Sequence, residues 1–341
     1  MSEESMRTGS ELLQATKPFI DEDLKRSWTG FITISLIVVA TLALIAVVPL
    51  WPVKLAAGVL LGLLQIRLFI YYHDYLHGAI LRRSKLAEKL MAVVGGYMLS
   101  VRSVWRETHN YHHKNNAKLI GSSIGSFPLL TTGMWRGMTA SDRRMYKLVR
   151  HPLFIFGGYF TTFLLGMSFA PFRRDAKKHW GGPAAVVMHF VILGATWWLF
   201  SGATAICMWL VPSIVSMGLG SYMFYAQHNF PGVELRGRRE WDYTHAALKC
   251  ASFFEMSAVM HWLTGNIGYH HVHHLNHRIP FYRLPEAMAA LPELQTPGRT
   301  SWAPRDIAAC LRCKLWDPER QEMVGYDAAE QTLPVSVAEA A

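Results

Sequence analysis

Three clusters of histidine hold the side chains of this sequence best suited to chemistry: His73-Asp-Tyr-Leu-His77, His109-Asn-Tyr-His112-His113 and His270-His271-Val-His273-His274. Neutral imidazole is the commonest protein ligand for transition metals such as iron, copper and zinc. On a helix, residues three and four apart share a face, with Cβ atoms about 5–6 Å apart, so each cluster can aim two or three rings at one point. His73, His77, His109, His112, His113, His270, His273 and His274 obey that spacing. His271 falls out of phase and is expected to support a ligand or to lie at the surface. An isolated histidine is ordinarily a satisfied or solvated side chain, which is the reading for His151, His179, His189, His245 and His277. Eight of the 16 histidines repeating one geometric rule point instead to a shared metal site.

His228, in Tyr225-Ala-Gln-His228-Asn, follows an apolar run as His73 does and is a ninth candidate ligand. Eight or nine imidazoles exceed what one ion can hold, so two metals are the natural count. Histidine-rich coordination with open positions suits iron in oxygen chemistry; zinc is the rival, and its closed tetrahedral sites would need only four of these residues. A ligating ring usually donates its other N–H to a carboxylate or carbonyl. Asp74 and Glu107 are near enough in sequence to accept it, although either could be a helix-surface charge. Asn266, one turn before His270, either reaches a metal directly or through water, or is a plain polar helix residue.

The elements that must position these rings are written in the hydropathy. The 341 residues are 51% hydrophobic and 17% charged, against roughly 25% charged in soluble domains. A membrane-crossing helix needs about 20 apolar residues; residues 30–49 supply them without a charge, and residues 53–72 do so with only Lys54 and Arg67, long side chains that can snorkel or face protein. Residues 183–227 contain no Asp, Glu, Lys or Arg, enough for two further spans with a break near Ser201-Gly202. Residues 151–172 and 90–99 are read as interfacial or re-entrant, because one more crossing would put the second and third clusters on opposite sides of the membrane. Basic loops (Arg82, Arg83, Lys85, Lys89; Arg143, Arg144, Lys147, Arg150; Arg173, Arg174, Lys177, Lys178) belong in the cytoplasm by the positive-inside rule.

The expected fold is therefore an all-α integral membrane protein with four transmembrane helices in two hairpins and a cytoplasmic helical cap carrying the histidines. Residues 1–27 form a cytoplasmic N-terminal segment without a cleavable signal, 28–318 the membrane domain and 319–341 a polar C-terminal tail. Both termini are cytoplasmic. The net charge of +10 is spread among loops without the dense stripe of a nucleic-acid binder. Cys310-Leu-Arg-Cys313 is a single CxxC without a second pair, read as two ordinary reduced thiols, with a redox or metal role as the alternative.

With these residues in place, the chain resembles the membrane fatty acid desaturases, whose three boxes read H-x(3,4)-H, H-x-x-H-H and H-x-x-H-H. The likeness extends along residues 265–285, covers roughly 28–318, and favours the acyl-lipid branch; Tyr75-Leu76 stands where many relatives carry a small pair. It implies two irons held by the box histidines with His228, O2 as co-substrate, and a cis double bond introduced into an acyl chain with water as the other product. The acyl-lipid substrate would enter from the bilayer along a tunnel near Tyr71, Tyr72 and Trp105. No His-Pro-Gly-Gly signature is present, so electrons are expected from a separate protein, ferredoxin or cytochrome b5. A lipid or carotenoid hydroxylase or ketolase of the same superfamily would use the same ligands. A membrane metal transporter would instead bind near the bilayer midplane, whereas these histidines lie beyond the span ends.

Overall fold

The computed structural model describes residues 7–119 and 124–331. Four helices are long and apolar enough to cross a membrane: Leu24–Val47, Trp51–His77, Gly181–Leu199 and Gly202–His228. They are called the first to fourth spans below. Asp23 starts the first by accepting the Arg26 N–H at 2.9 Å. The second opens with Trp51-Pro52, where proline's fixed φ suits the first helical turn. Ser201 accepts the Thr204 N–H at 3.1 Å and starts the fourth, at the break the sequence marks. The second and fourth spans each run 27 residues, about 40 Å at 1.5 Å per residue, while the hydrocarbon core is about 30 Å thick. Their C-terminal turns therefore extend past it, carrying His73 and His77 on one and His228 on the other.

Burial separates inner from outer spans. The apolar windows of the second and fourth are 56% and 50% buried, those of the first and third only 28% and 22%. The second packs against both the first and the fourth. Two glycines make the latter approach possible: a Cβ on Gly58 would lie 2.6 Å from the Cys207 carbonyl oxygen, and one on Gly62 2.7 Å from Val215 Cβ. Lys54 faces protein, its Nζ donating to the Ile45 carbonyl at 2.6 Å and to Thr204 Oγ1 at 2.8 Å. Residues 151–172 form shorter helical pieces, including a wide-turned helix Tyr159–Phe169, packed against the third and fourth spans. Residues 90–99 fall largely in the helix Lys85–Tyr97, which packs on the second and third.

The fold is mostly helical, but the all-α expectation is corrected by two small sheets. β1 (Phe253–Glu255) pairs in parallel with β2 (Arg299–Ser301), and β3 (Leu315–Asp317) pairs antiparallel with β4 (Glu322–Val324). Three-residue strands are too short to show a period of two in sequence. β1 matters for the site: Phe254 donates its N–H to the Gly268 carbonyl at 2.8 Å, just before the third histidine box. Described residues near both ends pack onto the fold: Leu12, in helix Gly9–Ala15, is fully buried, and the Tyr326 ring stacks on Trp135 at 4.9 Å. Residues 1–6 and 332–341 lie outside the described residues.

Candidate metal centre

Four elements bring the rings together: the ends of the second and fourth spans, the helix Arg102–Asn115 and the short helix His270–Leu275. Gly78, at φ +71°, stops the second span directly after His77, a left-handed ending that glycine adopts without strain. The nine histidines fall into two groups whose nearest ring nitrogens all lie within 4.8 Å of one another: His73, His77, His109, His113 and His273, and His112, His228, His270 and His274. Each H-x-x-H-H box serves both groups. In the second box the i, i+4 pair His109 and His113 joins the first group and His112 the second; in the third box His270 and His274 join the second and His273 the first.

The second group closes a ring of Nε2 atoms: His112 to His228 at 3.0 Å, His228 to His270 at 2.8 Å, His270 to His274 at 3.1 Å and His274 to His112 at 3.2 Å. In the first, Nε2 atoms run from His73 to His109 at 3.0 Å, to His113 at 3.1 Å and to His273 at 3.2 Å. With metal–nitrogen bonds of about 2.1 Å, neighbours at right angles are about 3.0 Å apart, whereas a tetrahedral zinc site would space them about 3.4 Å apart. The observed 2.8–3.2 Å edges are compatible with rings that share a metal ion. His77 is partly exposed, but both of its ring nitrogens are buried and lack a hydrogen-bond partner among the described residues, as expected of a ring reserved for a ligand.

Burial, followed by the neighbouring rings, holds His109, His112, His113, His270, His273 and His274 well below the ordinary histidine pKa. The rings stay neutral and their lone pairs remain available. Two outward nitrogens are fixed by partners. His73 Nδ1 lies 3.0 Å from Asp74 Oδ1, while Asp74 Oδ2 accepts the Phe281 N–H at 2.7 Å. His228 Nδ1 donates to the Cys250 carbonyl at 3.1 Å, leaving Nε2 as the acceptor.

The other sequence candidates separate clearly. Glu107 is half exposed, paired with Lys178 and 3.2 Å from His179 Nε2, far around its helix from the ligand face, so it supports no box histidine. Asn266 sits in the left-handed region at φ +55°, outside any helix, and donates to the Phe281 carbonyl at 3.2 Å. It steadies the backbone that holds Asp74. His271 is fully buried with Nε2 on the Leu294 carbonyl at 3.1 Å, so it is a core residue and not a surface one. His151, His179, His189 and His245 lie outside both groups. His277 was assigned no role, yet its ring lies 4.7 Å from His77 and 5.2 Å from His113. Its i+4 relation to His273 was the available signal.

Trp105 stacks around the first group, 4.4 Å from His109 and 4.8 Å from His77. Phe224 borders the second, 4.9 Å from His112. Tyr72 instead turns its hydroxyl to the Ser100 carbonyl, and Tyr71 packs on Phe281 away from the rings. A narrow pocket reaches His228 between Phe224, Phe127, Leu235 and Arg150. Arg150, 1% exposed, donates to the Pro128 carbonyl at 2.6 Å, to the Cys313 carbonyl at 3.0 Å and to Asn229. Asn229 in turn donates to the Cys310 and Cys313 carbonyls. The CxxC segment thus anchors the residue following His228 through its backbone. Burial pushes the Cys310 thiol up to about 12 and Cys313 to about 11, which keeps both protonated.

The sequence profile of the fatty acid desaturase family matches residues 49–305, well over half of the chain. A fatty acid desaturase of Bacillus subtilis (strain 168) is 27% identical over 274 residues, covering 80% of this chain and 76% of that protein. The acyl-lipid omega-3 desaturase (cytochrome b5) of the endoplasmic reticulum of Arabidopsis thaliana is 25% identical over 280 residues, covering 76% and 69%. The histidine groups, the four apolar spans and these likenesses agree, and the chain belongs to the fatty acid desaturase family, a family of oxidoreductases.

Proposed function

We propose that this chain is an O2-dependent acyl-lipid desaturase that converts a CH2–CH2 pair into a cis CH=CH pair. O2, two electrons and two protons are consumed, and two waters are released. His73, His77, His109, His113 and His273 would hold one iron, and His112, His228, His270 and His274 a second. An unactivated methylene has no acidic proton for a general base, and the iron pair supplies the oxidising power that removes its hydrogens. The single observation carrying this reading is the division of nine histidine rings, drawn from four distant elements, into two groups whose ring nitrogens converge.

The protein's own contribution is placement and dryness. Asp74 and the Cys250 carbonyl fix the tautomers of His73 and His228. Trp105 and Phe224 wall the two groups with apolar rings, limiting water at the place where a carbon chain would lie. The spans are read as two hairpins whose histidine-bearing ends, basic loops and both chain termini face the cytoplasm. There, Lys118, Arg236 and Arg238 border a concavity with Trp241, suited by charge to an acidic electron donor such as a ferredoxin or cytochrome b5.

Lipid profiling by mass spectrometry of a host expressing the chain with a reductant tests the reading. A new double bond in host acyl chains that disappears with His112→Ala is the expected result. Gain of an oxygen atom would indicate a hydroxylase instead, and an unchanged profile despite verified expression would sink both.

A further inference from the structure

A groove of about 1000 Å³, including its open mouth, runs between the first span, the second span and the short helix Ala258–Leu263. Its lining includes two guanidinium groups, Arg26 and Arg67, together with Tyr71, Trp262, Phe281 and Tyr282. Arg26 lies over the Tyr282 ring at 4.5 Å and Arg67 over the Trp262 ring at 4.3 Å. Neither forms an ion pair among the described residues, and the nearby carboxylates are engaged elsewhere. Asp23 accepts the Arg26 backbone N–H, Glu22 the Leu81 N–H, and Glu286 pairs with Arg283.

Depth identifies what can meet these charges. Val47 and Trp51, both exposed, mark the far membrane surface, where tryptophan is favoured. At 1.5 Å per residue, Arg67 stands about 24 Å from Trp51 and Arg26 about 32 Å from Val47. The hydrocarbon core is about 30 Å thick and the headgroup layer adds about 5–7 Å on each side, so the two residues bracket the near hydrocarbon boundary, from which their long side chains can reach out to the lipid phosphates. Beside them, the exposed side chains of Val259 and Trp262 present an apolar face at the same level.

We propose that this groove binds a membrane glycerophospholipid, with its phosphodiester held between Arg26 and Arg67 and its acyl chains lying along the outer face of the first and second spans. Guanidinium is the side chain best shaped for phosphate oxygens, and near the hydrocarbon boundary water competes less for the contact. The proposal rests on the membrane-crossing reading of the two helices and is independent of the metal centre.

Native mass spectrometry of the full chain in detergent tests it, using phosphatidylglycerol, a monogalactosyl diacylglycerol with the same acyl chains, and inorganic phosphate as probes. Phosphatidylglycerol should be retained, the galactolipid released, and millimolar inorganic phosphate should not displace the lipid. Arg26→Gln and Arg67→Gln should each weaken retention about tenfold, the loss expected for one charge-assisted hydrogen bond. Arg83→Gln, an exposed charge removed outside the groove, should leave it unchanged. Equal retention of the galactolipid, displacement by inorganic phosphate, or undiminished binding by the double variant would each overturn the proposal. Should Arg67→Gln unfold by losing its stack on Trp262, Arg26→Gln alone decides, with Arg67→Lys expected to keep binding.

Discussion

Asp74 Oδ1 lies 3.0 Å from His73 Nδ1, both side chains being buried at the end of the second span, and the remaining Asp74 oxygen holds the Phe281 backbone N–H. One carboxylate thus orients a ring of the first histidine box and ties it to the chain just beyond the third.

Asp74→Asn keeps the shape and can still accept from Phe281, but it removes the charge that makes His73 a stronger donor to metal. Metal occupancy of the five-histidine group and turnover should fall about 10- to 100-fold. Metal analysis of the purified variant, set beside product formation, checks this; unchanged values for both would mean that Asp74 only steadies the backbone.

The two groups can be emptied separately. His228→Ala removes one of four rings from the second group and should lower bound metal from about two ions to about one per chain, as expected when a ligand is lost from a small site. His277→Ala should leave the content near two, because His277 lies beside the first group without belonging to it. Metal quantification with both variants distinguishes a ligand from a neighbour.

Arg150 is buried and serves the Pro128 and Cys313 carbonyls together with Asn229. Arg150→Met fills similar space but strands these acceptors, each costing about 1–3 kcal/mol when buried and unmet. A clear fall in melting temperature is expected, with loosening of the residues that follow His228. A melting temperature equal to that of the unaltered chain would show that water replaces the guanidinium there.

The N-terminal segment should detach in acid. Arg7 donates to Glu293 through its backbone N–H and its guanidinium, and this hydrogen bonding holds the Glu293 carboxyl down at about 2. A depressed carboxyl pKa stabilises the folded state fully above the unfolded value near 4.5 and loses that contribution as pH falls from there toward 2. The protection of residues 9–15 against hydrogen exchange, relative to the intrinsic rate at each pH, should therefore fall below about pH 4.5, and Glu293→Gln should remove that fall.

Local spacing in the sequence determined the nine ring positions and the four spans, because helical period and apolar run length depend only on nearby residues. It could not show which rings converge on one another. His109 and His112 are three residues apart and separate into different groups, a division set by how the helix Arg102–Asn115 crosses the ends of two spans. Nor could proximity in sequence decide partners: Asp74 meets its neighbouring ring because both face inward, while Glu107 points outward to Lys178 and His179. The pairing of β1 with β2, the Arg150 clasp on Asn229 and the placing of Arg26 and Arg67 along one groove all join segments far apart in the chain. Such contacts leave no periodic trace, so tertiary packing alone decided them.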